Sequence, residues 1–186
     1  MKAKPPRKPM HLKLSGLGCE MKELPSLERL QELFDYNSEK GLLLWKKPTK
    51  LRIKARMIAG SKNAKGYLNA CVDARSYMVH RLIWLYHYGK PPENSIDHIN
   101  GIRHDNRICN LRDVSNTINT ENQKRATSQN RSSGALGVSR EKNHRRWRSV
   151  IESKGKQIHI GYFDTIEEAQ TAYINKKRQL HAGCTL

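Results

Sequence analysis

Four polar positions stand at spacings that suit hydrolytic chemistry. Asp97 and His98 are adjacent, Asn110 lies twelve residues beyond His98, and Asn119 lies nine beyond Asn110. Cleaving a phosphodiester requires a nucleophilic water, charge stabilisation on the phosphoryl oxygens, and help for the departing 3′ oxygen; one divalent cation can supply the last two. The Asp97 carboxylate and the Asn119 amide oxygen are hard ligands, which suit magnesium or manganese and would hardly hold zinc. His98, as a neutral imidazole, can take a proton from water if its second ring nitrogen is held, most simply by a carbonyl. Asn110 is placed to brace the loop that keeps His98 oriented. Neighbours on a strand point to opposite faces, so bringing Asp97 and His98 to one phosphate asks for a kink or bulge.

The elements that must position these residues can be read from periodicity and turn chemistry. Ile96-Asp97-His98 reads as a strand, 100–106 as a loop of turn formers, and Ile108 to Leu111 as a returning strand. Ser115 is placed to cap a helix running to about Arg125, with Asn116, Asn119, Asn122 and Gln123 on one face. Upstream, Ser26 caps a short helix carrying Leu27, Leu30, Leu33 and Phe34. The stretch 41–79 reads as a small antiparallel sheet with a hairpin around Asp73-Ala74-Arg75. Val79 to Tyr88 reads as a helix stopped by Gly89 and Pro91-Pro92. His80-Arg81 at its start either touches phosphate or, for His80, packs against the sheet.

Residues 127–133 form a polar linker, and the pattern changes beyond it. Gly137 to Arg140, Trp147 to Ile151 and Ile158 to Phe163 read as strands, with a turn at Lys154-Gly155-Lys156. Asp164 with Glu167 reads as the cap of a helix bearing Ala169, Ala172, Tyr173, Lys176 and Leu180. Residues 1–24 show no periodicity and read as a basic disordered tail able to add weak phosphate contacts.

Composition bounds the partner. The chain of 186 residues carries 35 Lys+Arg against 17 Asp+Glu, a net charge of +18 with a pI near 10. That is well beyond the roughly 2–8 charges that solubility asks of a small domain, so a polyanion is the expected partner. Hydrophobic residues make up 37% and the mean hydropathy is −0.80, which favours several small cores over one large one. The four cysteines form no C-x-x-C pair, which argues against a zinc knuckle or a disulfide framework and for a reducing, cytoplasmic compartment. No run of apolar residues is long enough for a transmembrane helix, so no membrane partner is expected.

Asp97-His98, Asn110-Leu111 and Asn119 resemble the HNH nucleases, whose core is a two-stranded sheet and a helix around one metal. The wider context, with Ile96 to Gly101, Asp105-Asn106-Arg107, Asn110-Leu111-Arg112, His80-Arg81-Leu82-Ile83-Trp84 and Gly89-Lys90-Pro91-Pro92, resembles the phage and intron-encoded homing branch. The resemblance implies Asp97 and Asn119 as metal ligands for Mg2+ or Mn2+, His98 as general base, and Asn110 as the residue that fixes the loop. Asn119 stands where the commonest pattern has histidine, an exchange some homing members share. The family's zinc-bearing cysteine pairs are absent, so no structural zinc is expected.

Further on, Gly137-Val138, Trp147, Ile151, Gly161 to Thr165, Glu167-Glu168-Ala169 and Ala172-Tyr173 resemble the APETALA2-type DNA-binding domain. In that family a three-stranded sheet lies in the major groove, which makes Arg140, Arg146 and Arg148 the candidate DNA contacts. Trp147 then either stacks on the backbone or packs under the sheet. Arginine is the usual bidentate partner of guanine, although any one of these is as readily a phosphate contact.

The expected architecture is α+β. A small antiparallel N-terminal sheet (residues 25–78) precedes a ββα-metal nuclease core (79–126), the linker (127–133), and a three-stranded sheet with one packed helix (134–186). The expected function is a monomeric, metal-dependent endonuclease acting on double-stranded DNA, in which removal of 134–186 would cost site selection more than chemistry. A catalytically inactive DNA-binding regulator and an RNA-binding protein stand beside it as rivals; at 6% aromatic residues, a stacking platform for RNA is poorly supplied.

Overall fold

The structure is a computed structural model, and it describes residues 23–49, 51–127, 129–141 and 145–186. Most of the expected basic tail therefore lies outside the described residues. Leu24, at its inner end, packs against the main core.

The N-terminal region begins with α1 (Leu27–Leu33), capped by Ser26, whose side chain accepts from the Arg29 amide. Phe34 does not continue the helix as its spacing suggested. It opens β1 (Phe34–Asn37), which pairs antiparallel with β2 (Leu42–Trp45). Extended backbone lets Phe34 stack on Trp45 with ring centroids 4.5 Å apart, completely buried. A second sheet has the order β3 (Ser61–Lys62), β4 (Leu68–Val72), β5 (Arg75–Met78), so the expected single sheet is two. The β4–β5 hairpin turns at Asp73 and Ala74, both with positive φ. Helix α2 (Val79–Tyr88) follows directly and ends on Gly89 in the left-handed region.

Next, β6 (Ser95–His98) pairs with β7 (Leu111–Val114), and α3 (Asn116–Glu121) packs against them under a Ser115 cap. Two expectations need correction here. Residues Ile108–Asn110 form a single 3-10 turn and the strand begins only at Leu111, because the Asn110 side chain and backbone are spent on the preceding loop. Helix α3 stops at Glu121, short of Arg125, because the Asn122 side chain turns inward toward β6.

One core unites everything up to residue 111: Leu30, Leu33, Phe34, Leu43, Trp45, Leu82 and Ile83 are fully buried, and Ile96 and Leu111 carry the same core under β6 and β7. The C-terminal region is an antiparallel sheet of β8 (Val138–Arg140), β9 (Trp147–Ser153) and β10 (Lys156–Phe163), in the order β10-β9-β8, covered by α4 (Ile166–Leu180). Its core is small, with Ala135, Val138 and Ala169 at its centre and Trp147, Phe163 and Ile166 around them. The cap of α4 falls one residue later than its pattern implied. Thr165 accepts from the Glu168 amide and Glu168 bonds back to the Thr165 amide, a complete capping box. Ala169 and Tyr173 are buried as their spacing implied, and Lys177 takes the inward place expected of Lys176. No helix among the described residues is long and apolar enough to cross a membrane.

Candidate active site

An open cleft of about 1070 Å³ lies across the end of β6 and is lined by Asp97, His98, Asn119 and Asn122, with Lys65, Arg103, Lys124 and Arg125 among its other walls. Asp97 is the only carboxylate among its lining residues, so the cleft is basic around one negative point. The pairing of β6 with β7 runs unbroken from Ser95↔Val114 to His98↔Leu111, without the anticipated bulge. His98 instead closes the strand, and the chain turns at once, with the Gly101 amide bonding the His98 carbonyl. Strand alternation does send the two side chains different ways, and the cleft spans the strand end widely enough to take in both.

His98 is buried (4% exposed), and its Nε2 lies 3.0 Å from Asn106 Oδ1. With that oxygen accepting from Nε2–H, Nδ1 carries the lone pair. The ring packs among others: His80 meets it edge-on at 5.1 Å and Tyr67 at 5.8 Å between centroids. Burial lowers the His98 pKa, partly opposed by the Asn106 hydrogen bond, so the imidazole is neutral at pH 7. His80 is buried beneath it, its Nδ1 without a hydrogen-bond partner among the described residues, and burial brings its pKa down to about 3. Its ring therefore meets His98 and Tyr67, not the cleft mouth. Arg81 is half-buried, with its guanidinium directed to the Asn94 carbonyl.

Asn106 is 1% exposed and is itself clamped by the N-terminal hairpin. The Tyr36 hydroxyl donates to the Asn106 carbonyl (3.1 Å) and accepts from the Ile108 amide (3.0 Å). Gly41, in the β1–β2 turn, lies so close that a Cβ would collide with the backbone of Asn106 and Arg107. Asn110 ties the other side of the loop: its Oδ1 accepts from the Asn100 amide (2.9 Å) and its Nδ2 donates to the Asp105 carbonyl (2.8 Å). Arg107 pairs with Asp105 at 2.7 Å, which holds the Asp105 carboxyl down at about 2.

Asp97 (7% exposed) sits in polar surroundings. Arg112, directly opposite it on β7, places Nη2 2.7 Å and Nε 2.9 Å from Oδ2. Asn122 Nδ2 donates to both carboxylate oxygens (3.1 and 2.9 Å) and to the His98 carbonyl (3.1 Å). Asn119 shares the cleft wall with them. Among the described residues no cluster of three or more His, Cys, Asp or Glu could hold a metal. One carboxylate and the Asn119 amide lining an open, basic cleft fit a magnesium-like ion, which takes few protein ligands and keeps the rest for water and phosphate.

The C-terminal candidates divide. Register sets Arg148 opposite Ser139 and Tyr162, on the face away from the core that holds Trp147; its guanidinium pairs with Glu141 at 3.0 Å. Arg140 lies opposite Trp147, its guanidinium 5.4 Å from that ring, and Trp147 packs on the small core. Arg146 pairs with Asp164 at 2.9 Å. The contacts to Asp97 and His98 made by Asn106, Arg112 and Asn122 were not assigned from sequence. Arg112 had a readable signal, since it falls opposite Asp97 once β6 and β7 are paired; Asn106 had none beyond its place in the loop.

Compared with known proteins, residues 77–121 match the family described as HNH endonuclease. The match covers α2, β6, β7 and all of α3, and it supports a nuclease acting on DNA. Neither the curated proteins nor the solved structures contain a match to the chain.

Proposed function

We propose that the chain is a divalent-metal-dependent DNA endonuclease of the homing HNH type, with Asp97 and Asn119 as ligands of Mg2+ or Mn2+. The observation that carries this reading is the juxtaposition, in one basic cleft, of a carboxylate and a buried, neutral imidazole oriented by an amide oxygen, all three groups lying within the matched segment. His98 Nδ1 accepts the proton of the attacking water while Asn106 holds Nε2–H, so the ring keeps one orientation through the transfer. Asn110 holds the turn that follows His98. Lys65, Arg103 and Lys124 on the cleft walls draw in the phosphate backbone, and Arg103 is pre-set by its bond to the Lys65 carbonyl (2.8 Å) and its position 5.2 Å from the Tyr67 ring. A bound divalent cation supplies charge stabilisation for the phosphoryl and leaving oxygens.

In the same reading the C-terminal sheet is an APETALA2-like DNA reader, with Arg148 the best presented of the candidates and Arg140, Arg146 and Trp147 at its margin. His80 serves from beneath, as a wall for His98, and Arg81 lies next to it at the start of α2. The test is plasmid cleavage by the full chain in Mg2+ or Mn2+, with EDTA as control. Cleavage that needs metal and is lost in His98→Ala, with duplex binding retained, is the expected result. Normal cleavage by His98→Ala would refute the assigned base. A second reading, a DNA-binding regulator without catalysis, is favoured by one feature: both Asp97 oxygens already have protein donors in Arg112 and Asn122. Duplex binding with no cleavage in either metal would establish it.

A further inference from the structure

The chain does not stop contributing to the cleft at α3. Beyond α4 the segment Gly183–Thr185 returns to the two groups that touch Asp97. The Gly183 carbonyl accepts from Arg112 Nη2 (3.0 Å), the same nitrogen that lies 2.7 Å from Asp97. The Gly183 amide donates to Glu121 at the end of α3 (3.0 Å). Thr185 Oγ1 sits 2.5 Å from Asn122 Oδ1 and 2.7 Å from the Ile99 carbonyl, one hydroxyl proton facing two acceptors. Lys124 Nζ donates to the Thr185 carbonyl (3.1 Å). Nearby, the buried ammonium of Lys177 on α4 donates to the Gln123 carbonyl.

The fit is close as well as polar. Gly183 is buried, and a Cβ there would strike the Ile118 carbonyl oxygen and press on Glu121. Thr185 occupies the oxygen end of the Asn122 amide, which turns the nitrogen end toward Asp97. The segment thus grips both donors to Asp97 from behind, one through a backbone carbonyl and one through a hydroxyl.

We propose that Gly183–Thr185 is a positioning element of the nuclease site, holding Arg112 and Asn122 against Asp97 and so setting how tightly Asp97 holds a divalent cation. The proposal rests on the reading of Asp97 as a metal ligand. It also reverses the division of labour expected from sequence, because removing 134–186 would take away part of the site along with the reader.

The experiment compares the full chain with Thr185→Val, Thr185→Ser and Gly183→Val. Three quantities are read: Mn2+ affinity by calorimetry, the Mn2+ concentration giving half-maximal plasmid nicking, and duplex binding in EDTA. Outer contacts of this kind change metal affinity by about 10–100-fold when removed. Thr185→Val, nearly isosteric, is expected to weaken Mn2+ binding about ten-fold or more and to raise the half-maximal concentration in step. Thr185→Ser stays near wild type, and duplex binding in EDTA stays within about two-fold for both. Gly183→Val, if it folds, follows Thr185→Val. Unchanged or tighter Mn2+ binding in Thr185→Val overturns the proposal. If the wild-type chain binds Mn2+ but does not nick, the catalytic reading fails while the ratio of Mn2+ affinities still decides the role of the segment. A wild-type chain with no Mn2+ affinity refutes both.

Discussion

Asp97 and His98 are neighbours in sequence, yet they are held by opposite ends of the chain in opposite ways. His98 belongs to the N-terminal side: its partner Asn106 is pinned by Tyr36 and Gly41, and its ring lies among Tyr67 and His80 next to the main core. Asp97 belongs to the C-terminal side, among Arg112, Asn122 and the Gly183–Thr185 segment, beside a helix with no buried residues. The difference follows from charge. An imidazole that is to act as a base must be neutral, and a dry ring-lined socket favours the neutral form. A carboxylate that is to stay ionised loses too much hydration in such a socket, and needs donors on its oxygens. Two adjacent side chains therefore require two different micro-environments, and the fold supplies them from separate parts of the molecule.

This contrast can be broken by experiment. The largest effect is expected at the two residues themselves: His98→Ala and Asp97→Asn should each lower single-turnover cleavage by about 100-fold or more. They should differ in Mn2+ binding measured by calorimetry, which His98→Ala keeps and Asp97→Asn loses. Equal loss of metal binding in both would mean that the two environments are not separate.

Asn106→Ala comes next. Losing one buried hydrogen bond of about 1–1.5 kcal/mol corresponds to a rate reduction of about ten-fold. The half-maximal metal concentration should be unchanged, the reverse of the pattern expected for Thr185→Val. A shifted metal dependence in Asn106→Ala would mean that the two supports are one.

The last effect falls on stability against pH and leaves the comparison of rates untouched. Burial lowers the pKa of His80, to about 3, and of His98, so both are neutral in the folded chain at pH values where they would be protonated in the unfolded one. The unfolded state then binds more protons below about 6.5, and stability, fully present above that value, falls as pH drops toward the folded pKa. His80 contributes up to about 1.4 kcal/mol per pH unit over that range, and His98 acts in the same direction. Urea unfolding from pH 7 to pH 4 should show this slope, and His80→Phe should flatten it. An unchanged slope in His80→Phe would place the acid sensitivity elsewhere.

What could be read from sequence was local. Helix α2 ends where Gly89 and the two prolines say it must, the β4–β5 hairpin falls on Asp73-Ala74, and three strands with a helix follow residue 134. The spacing of Asp97, His98, Asn110 and Asn119 put the candidate site in the segment that the family match also covers. Less was legible wherever a side chain replaced a backbone partner. Asn110 takes the chain through a 3-10 turn because its amide serves residues 100 and 105, and Asn122 ends α3 because its amide serves Asp97. Least legible were the supports themselves. Tyr36 lies 70 residues before Asn106, and Thr185 lies 63 after Asn122. Neither periodicity nor capping chemistry reaches over such distances.

The contact between Thr185 and Asn122 also bears on when the cleft is completed during synthesis. The socket around His98 is built from residues 36 to 110, all available early to a chain emerging from the ribosome. The surroundings of Asp97 wait for residues 183 to 185. A nascent chain can thus carry the finished His98 socket and the basic walls of the cleft for the whole time that β8 to α4 are being translated, with the surroundings of Asp97 still incomplete.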